Sequence, residues 1–204
     1  MGIYEKHILP KVIDTVCRSK PNMKQREKVI PLAKGKVLEI GIGSGLNLPF
    51  YQKNQVKEVI GLDPSKELWS KNKVDINELE YDFRFLEAVA EDIPVDSGEF
   101  DAVVLTYTLC TLPDVTRSIS EMKRVLKNDG VIIFSEHGIA PDKGTRFWQH
   151  AVNPVWKRLG GGCNLTRNIP KILEDGSFRI SELHQQYIPG WKPASYNYWG
   201  LARK

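Results

Sequence analysis

Short apolar runs alternate along this chain with longer amphipathic stretches. The runs lie at 36–40, 58–62, 83–86, 102–105 and 131–134. Each is too short for a helix and long enough for a buried strand. Between them, positions 65–76 and 115–126 carry apolar residues at helical spacing. In the second stretch Val115, Ile119, Met122, Val125 and Leu126 share one face, and Asp129-Gly130 supplies a stop before the next strand. This alternation predicts βαβ units around a parallel sheet. Upstream, the apolar residues of 3–17 predict an amphipathic helix interrupted by Pro10, and a second helix is predicted over 23–30. Downstream, 138–164 is rich in aromatics and glycine, and 169–173 is helix-like. Two β-like stretches, 178–188 and 195–202, predict a hairpin across 189–193 that puts the last strand antiparallel at the sheet edge. The expected fold is α/β, a doubly wound sheet of seven strands, mostly parallel. One domain spanning 1–204 is expected, with 1–31 as a helical cap and 138–175 as a lid over substrate.

With 204 residues, 41% of them hydrophobic, the chain can bury one sizeable core. The net charge of +4 comes from lysines scattered among carboxylates, which gives no basic arm for nucleic acid. Cys17, Cys110 and Cys163 form no C-x-x-C pair, so neither a disulfide framework nor a structural zinc is expected, and a reducing cytoplasm is the expected compartment. The first twenty residues lack the apolar core of a signal peptide, and no run approaches the ~18 apolar residues of a membrane span. The amphipathic 3–16 stretch leaves weak contact with a membrane surface open. Oligomeric state is not legible.

The most informative run is Glu39-Ile40-Gly41-Ile42-Gly43-Ser44-Gly45, between a predicted strand and a helix predicted to start near Leu46. Glycine suits a sharp turn that brings bare backbone against a ligand. About twenty residues on, Asp63 of Gly61-Leu62-Asp63-Pro64 can accept hydrogen bonds from both hydroxyls of an adenosine ribose. A dinucleotide fingerprint counted from Gly41 requires glycine at Leu46, and that position fails.

The third glycine at Gly45 and the preceding Glu39 resemble motif I of class I S-adenosylmethionine-dependent methyltransferases, E-x-G-x-G-x-G, which are Rossmann-like. Ala90-Glu91-Asp92-Ile93-Pro94, Asp96-Ser97-Gly98-Glu99-Phe100-Asp101 and Arg124-Val125-Leu126-Lys127-Asn128-Asp129-Gly130 resemble further signals of that family. The resemblance implies S-adenosylmethionine as cofactor, held by Glu39, Gly41, Gly43, Gly45, Asp63 and Pro64. It also implies Ala90 and Glu91 beside the adenine and Thr106 beside the methionine moiety, with Glu39 near its ammonium group. Val89 stands where the family often has an acidic residue for the adenine amine.

Methyl transfer from a sulfonium is an in-line displacement that depends on alignment and exclusion of water, so no metal is expected. After the fourth predicted strand, Thr106-Tyr107-Thr108-Leu109-Cys110 lacks the N-P-P-Y tetrad that holds a flipped base, which favours a small-molecule acceptor over nucleic acid. Phe134-Ser135-Glu136-His137, Phe147-Trp148-Gln149, Pro154-Val155-Trp156 and Gly162-Cys163-Asn164-Leu165-Thr166-Arg167 resemble the methyltransferase-like thiol S-methyltransferases, which implies a thiol acceptor. Tyr107, Phe147 and Trp148 are candidates for the substrate pocket. His137, at a strand end, is either a general base titrating near neutrality or a packed residue bonded to a carbonyl. Cys110 and Cys163 read best as small buried hydrophobes. Three rival functions stay open: a lipid head-group methyltransferase at a membrane surface, a non-catalytic S-adenosylmethionine-binding module and, last, a dehydrogenase.

Overall fold

The computed structural model describes Tyr4 and residues 8–204. The predicted N-terminal segment is therefore described only in part, since 1–3 and 5–7 lie outside. Seven strands, β1 (Gly35–Ile40), β2 (Val56–Leu62), β3 (Asp82–Leu86), β4 (Phe100–Thr106), β5 (Leu126–His137), β6 (Arg179–Tyr187) and β7 (Tyr196–Arg203), form one sheet in the order β3-β2-β1-β4-β5-β7-β6. β1 pairs in parallel with β2 and with β4, and β7 runs antiparallel to both β5 and β6. The hairpin forms, but β7 lies inside the sheet and β6 is the edge, against the expected order. The exposed side chains of β6 fit an edge position.

Alternation along the strands sends apolar residues to both faces, as a doubly covered sheet requires. Leu38, Ile40, Val103, Leu105, Ile132 and Phe134 pack with Ile119 and Met122 of α4 (Val115–Val125) and Leu173 of α6 (Ile169–Asp175). Val37, Val59, Val104 and Ile133 pack on the other face with Val29 of α2 (Lys20–Val29). α1 (Leu9–Cys17) precedes α2, with Pro10 in its first turn rather than interrupting it.

The helices depart from expectation in four places. α4 stops at Val125, and β5 begins at Leu126 opposite Phe100, so Asp129-Gly130 lies within the strand. The helix expected over 65–76 shrinks to α3 (Lys66–Trp69). Asn72 turns its side chain onto the backbone of Val74, donating to its carbonyl (2.9 Å) and accepting from its N–H (3.0 Å), a local alternative to helix. After the glycine loop no α-helix forms near Leu46, and the chain makes one 3₁₀ turn, Leu48–Phe50, around Pro49. Finally, the 138–164 segment holds a 17-residue helix, α5 (Lys143–Leu159). Its apolar residues do not mark its inner face. Gln149 does, accepting from Ala140 N–H (2.8 Å) and donating to the carbonyls of Gly138 and Pro193 (2.9 Å each).

Candidate active site

Strand order reverses between β1 and β4, and a crevice at the carboxyl ends of the strands is the usual ligand site of such a sheet. A cavity of about 330 Å³ opens there, within the ordinary size of a small-molecule site. Gly41, Gly43, Asp63, Pro64, Ala90, Glu91, Thr106 and Tyr107 all line it. Gly41 has φ +70°, and a Cβ on it would stand 2.5 Å from the Thr108 hydroxyl, so only glycine passes there. Its N–H donates to the Leu62 carbonyl (2.7 Å), tying the loop to β2.

The Asp63 carboxylate accepts from the N–H groups of Gly43 (2.9 Å) and Ser65 (2.8 Å). Burial raises its pKa, opposed by those two donors. Ser65, not Asp63, caps α3, through an acceptor contact with the Leu68 N–H (3.1 Å). Glu91 accepts from the Asp114 N–H (3.1 Å), which fixes its carboxylate at the rim.

Five predicted residues stand elsewhere. Glu39 points to the sheet face opposite Leu38 and is fully buried behind the wall. Its two oxygens accept from Asn47 Nδ2 (2.9 Å) and Tyr51 OH (2.7 Å), and burial pushes its pKa up to about 7. Gly45 lies behind the loop, where a Cβ would meet the Asn72 side-chain oxygen at 2.8 Å. Phe147 and Trp148 are 67% and 60% exposed on the outer face of α5 and do not line the cavity. His137 is buried at the end of β5 but is set back from the cavity wall.

Several residues that sequence reasoning passed over are central. Arg26 of α2 is buried and lines the cavity. Its Nη1 donates to Asn47 Oδ1 (2.7 Å) and Thr106 Oγ1 (2.5 Å), while its Nε is buried without a partner among the described residues. Asn47 in turn donates to both Thr106 and Glu39, so a polar chain runs from Tyr51 to Arg26. From α1, Ile13, Asp14 and Cys17 close one side, and Asp14 accepts from the Ser44 hydroxyl of the glycine loop. Tyr107 turns the chain with φ +57°, a strained value costing of order 1–3 kcal/mol, and is held by its hydroxyl on Asn197 Oδ1 (2.9 Å). Asn47 follows the glycine motif by two residues and could have been suspected from that. Arg26 has no local signal, because its partner Thr106 is eighty residues away.

Behind this turn Cys110, His137 and Cys163 converge, with His137 Nε2 3.1 Å from Cys163 Sγ. The Cys110 thiol, then His137, hold the Cys163 thiol below its ordinary value against burial. Burial works to lower the His137 pKa, but the Cys163 sulfur overrides it and the net shift is upward. Glu136 accepts from the N–H groups of Thr108 (2.7 Å) and Leu109 (3.0 Å), and burial raises its carboxyl to about 7.

Comparison with known proteins gives a consistent result. Residues 38–134 match the family model described as a methyltransferase domain. The thiol S-methyltransferase TMT1B of Homo sapiens is 36% identical over 180 residues, covering 84% of this chain and 72% of the relative. A phosphatidylethanolamine N-methyltransferase of Cereibacter sphaeroides is 33% identical over 114 residues, 54% of each chain. A SAM-dependent methyltransferase from Aquifex aeolicus shares the fold, with TM-score 0.62, 20% identity and coverage of 95% of this chain and 97% of that one.

Proposed function

The chain belongs to the methyltransferase family in which its thiol S-methyltransferase relative falls, and on that premise we propose that it methylates the sulfur of a small thiol. It is a methyltransferase and its cofactor is S-adenosylmethionine. The observation that carries the thiol acceptor is the 36% identity to TMT1B over most of both chains.

The cavity fits the cofactor, since it offers a side-chain-free cradle at Gly41 and a buried guanidinium with an unpartnered Nε, suited to a carboxylate. Asp63 would accept the ribose hydroxyls, Ala90 and Glu91 would flank the adenine, and Arg26 would pair with the methionine carboxylate. Gly43 and Pro64 complete the walls, and Thr106 keeps Arg26 aimed. Glu39 acts one step back by holding Asn47, and Gly45 lets the loop fold. When bound, the cofactor supplies a methyl group on a sulfonium. Tyr107 and Cys17 lie where the acceptor would approach, and α1 excludes water from that side. A thiol is a few per cent thiolate at neutral pH, so no base on the wall is needed to start the reaction. His137 is set back from that wall, and the base role is not assigned to it.

The chain is proposed to work as one unit, with α1 and α2 as the cap, in a reducing cytoplasm that keeps its cysteines unbridged. No helix among the described residues is long and apolar enough to cross a membrane. A lipid amine is the second reading, favoured by Phe147, Trp148, Val155 and Leu159, which stand exposed on α5 beside Lys157 and Arg158. Mass spectrometry of products from a mixed panel of thiols, amines, phenols and phosphatidylethanolamine vesicles separates the two. A methyl thioether is expected. Methylated phospholipid with no thioether would replace the thiol reading by the lipid one.

A further inference from the structure

We propose that Cys110, His137 and Cys163 form a Zn²⁺ site with one open coordination position, and that the thiolate of the acceptor takes that position. The second half rests on the thiol reading above; the first does not.

The three ligand atoms, Cys110 Sγ, His137 Nε2 and Cys163 Sγ, all lie within 4.8 Å of one another. Ligands of a tetrahedral zinc, with Zn–S near 2.3 Å and Zn–N near 2.0–2.1 Å, stand about 3.5–3.8 Å apart, so shifts of under about 1 Å accommodate the ion. Two sulfurs and an imidazole suit a borderline-soft cation and disfavour magnesium or calcium. Among the described residues no fourth histidine, cysteine or carboxylate joins the cluster. Three protein ligands with a vacant fourth position is the arrangement of a zinc that handles substrate, not of a closed structural site.

The surroundings hold the ligands in place. Trp156 Nε1 donates to Cys163 Sγ (3.2 Å), the kind of outer contact that orients a ligating sulfur. The Asn164 N–H donates to the Cys110 carbonyl (2.9 Å), which ties the two cysteine segments together, and the Cys163 N–H donates to the Gly160 carbonyl (3.1 Å), which closes the turn that carries Cys163. Arg167, bonded to the carbonyls of Leu109 and Leu112, brings a positive charge beside the sulfurs. Thr111, next to Cys110 in the chain, and Gly161, two residues before Cys163, both line the cavity.

A zinc here raises the thiolate fraction of the acceptor above the few per cent that a free thiol has at neutral pH. Cys110 and Cys163 bind as thiolates and release their protons to solvent. An acceptor R–SH then binds as R–S⁻, its proton also going to solvent, with no change of oxidation state. Coordination thereby keeps the acceptor deprotonated at neutral pH.

The test uses the full chain, reduced, stripped with a chelator and reloaded with Zn²⁺ or Co²⁺. About one zinc per chain should survive desalting. Co²⁺ should give a thiolate-to-cobalt absorption band, and adding 2-mercaptoethanol should shift it. Cys110→Ser, Cys163→Ser and His137→Gln should each lower metal retention at least tenfold, with S-adenosylhomocysteine binding by calorimetry confirming that each variant is folded. No retained metal, equal retention in all variants, or a Cys110–Cys163 disulfide in reduced, freshly purified protein would overturn the site. A cobalt band indifferent to thiol, or full thiol methylation by the chelated protein, would overturn the role of the open position while leaving the thiol reading intact. If neither form methylates any thiol, the thiol reading itself fails.

Discussion

At the scale of single residues, the cofactor pocket depends on charges placed where water cannot replace them. If Asp63 accepts the ribose hydroxyls as proposed, Asp63→Ala should weaken cofactor binding by about 1.5–3 kcal/mol, roughly ten- to hundredfold, in calorimetry. Unchanged affinity would take Asp63 out of the site. Arg26→Ala should weaken S-adenosylmethionine markedly and adenosine hardly at all, because only the former carries a carboxylate; equal losses for both ligands would mean that Arg26 merely supports the fold. The buried carboxyls of Glu39 and Glu136, each raised to about 7, also set a pH dependence. Both hold a proton more tightly in the native chain than in the unfolded one. Their contribution to stability is therefore full below the ordinary value of 4.5 and is lost as pH rises through about 7. Glu136→Gln should flatten the fall of Tm across that window, and an unaltered slope would refute the assignment. Asp63 was legible because loop and acid follow one another at a fixed interval. Phe147 and Trp148 misled because aromatic character says nothing about which way a helix turns.

Elements follow from local chemistry where that chemistry is strong. α4 was readable from its apolar stripe and is started by Asp114, whose carboxylate accepts from the Arg117 N–H (3.0 Å). Asp114→Ala should lower stability by about 0.5–2 kcal/mol in denaturant titration, and a loss near zero would mean that packing alone sets this helix. The central strands β1, β2, β4 and β5 were readable because their runs are buried on both faces and hence continuously apolar. α5 was not, since a helix anchored by Gln149 and carrying Pro154 within it shows no inward apolar stripe for periodicity to detect. The helix expected after the glycine loop failed for the opposite reason: Pro49 and the Asn47 side chain commit that stretch to the pocket's polar chain, and tertiary bonds override propensity.

Across the whole molecule, the N-terminal helices and the sheet together wall the cavity. α1 and α2 line one side of the cavity through Asp14, Cys17 and Arg26, while Gly41, Asp63 and Thr106 line the other. A ligand filling that space touches both, so opening the cap requires releasing the ligand. At a concentration of 100 Kd, a ligand that binds only the closed form suppresses the open form by about 2.7 kcal/mol, roughly a hundredfold. The joint between the two helices contains Arg18, tied to Asp14 at 2.8 Å and available to trypsin when α1 lifts away. Saturating S-adenosylhomocysteine should therefore slow cleavage after Arg18 by up to about a hundredfold, in parallel with a rise in Tm. If Tm rises while this cleavage rate stays the same, α1 moves independently of the ligand, and water exclusion on that side must come from the Cys163 loop instead.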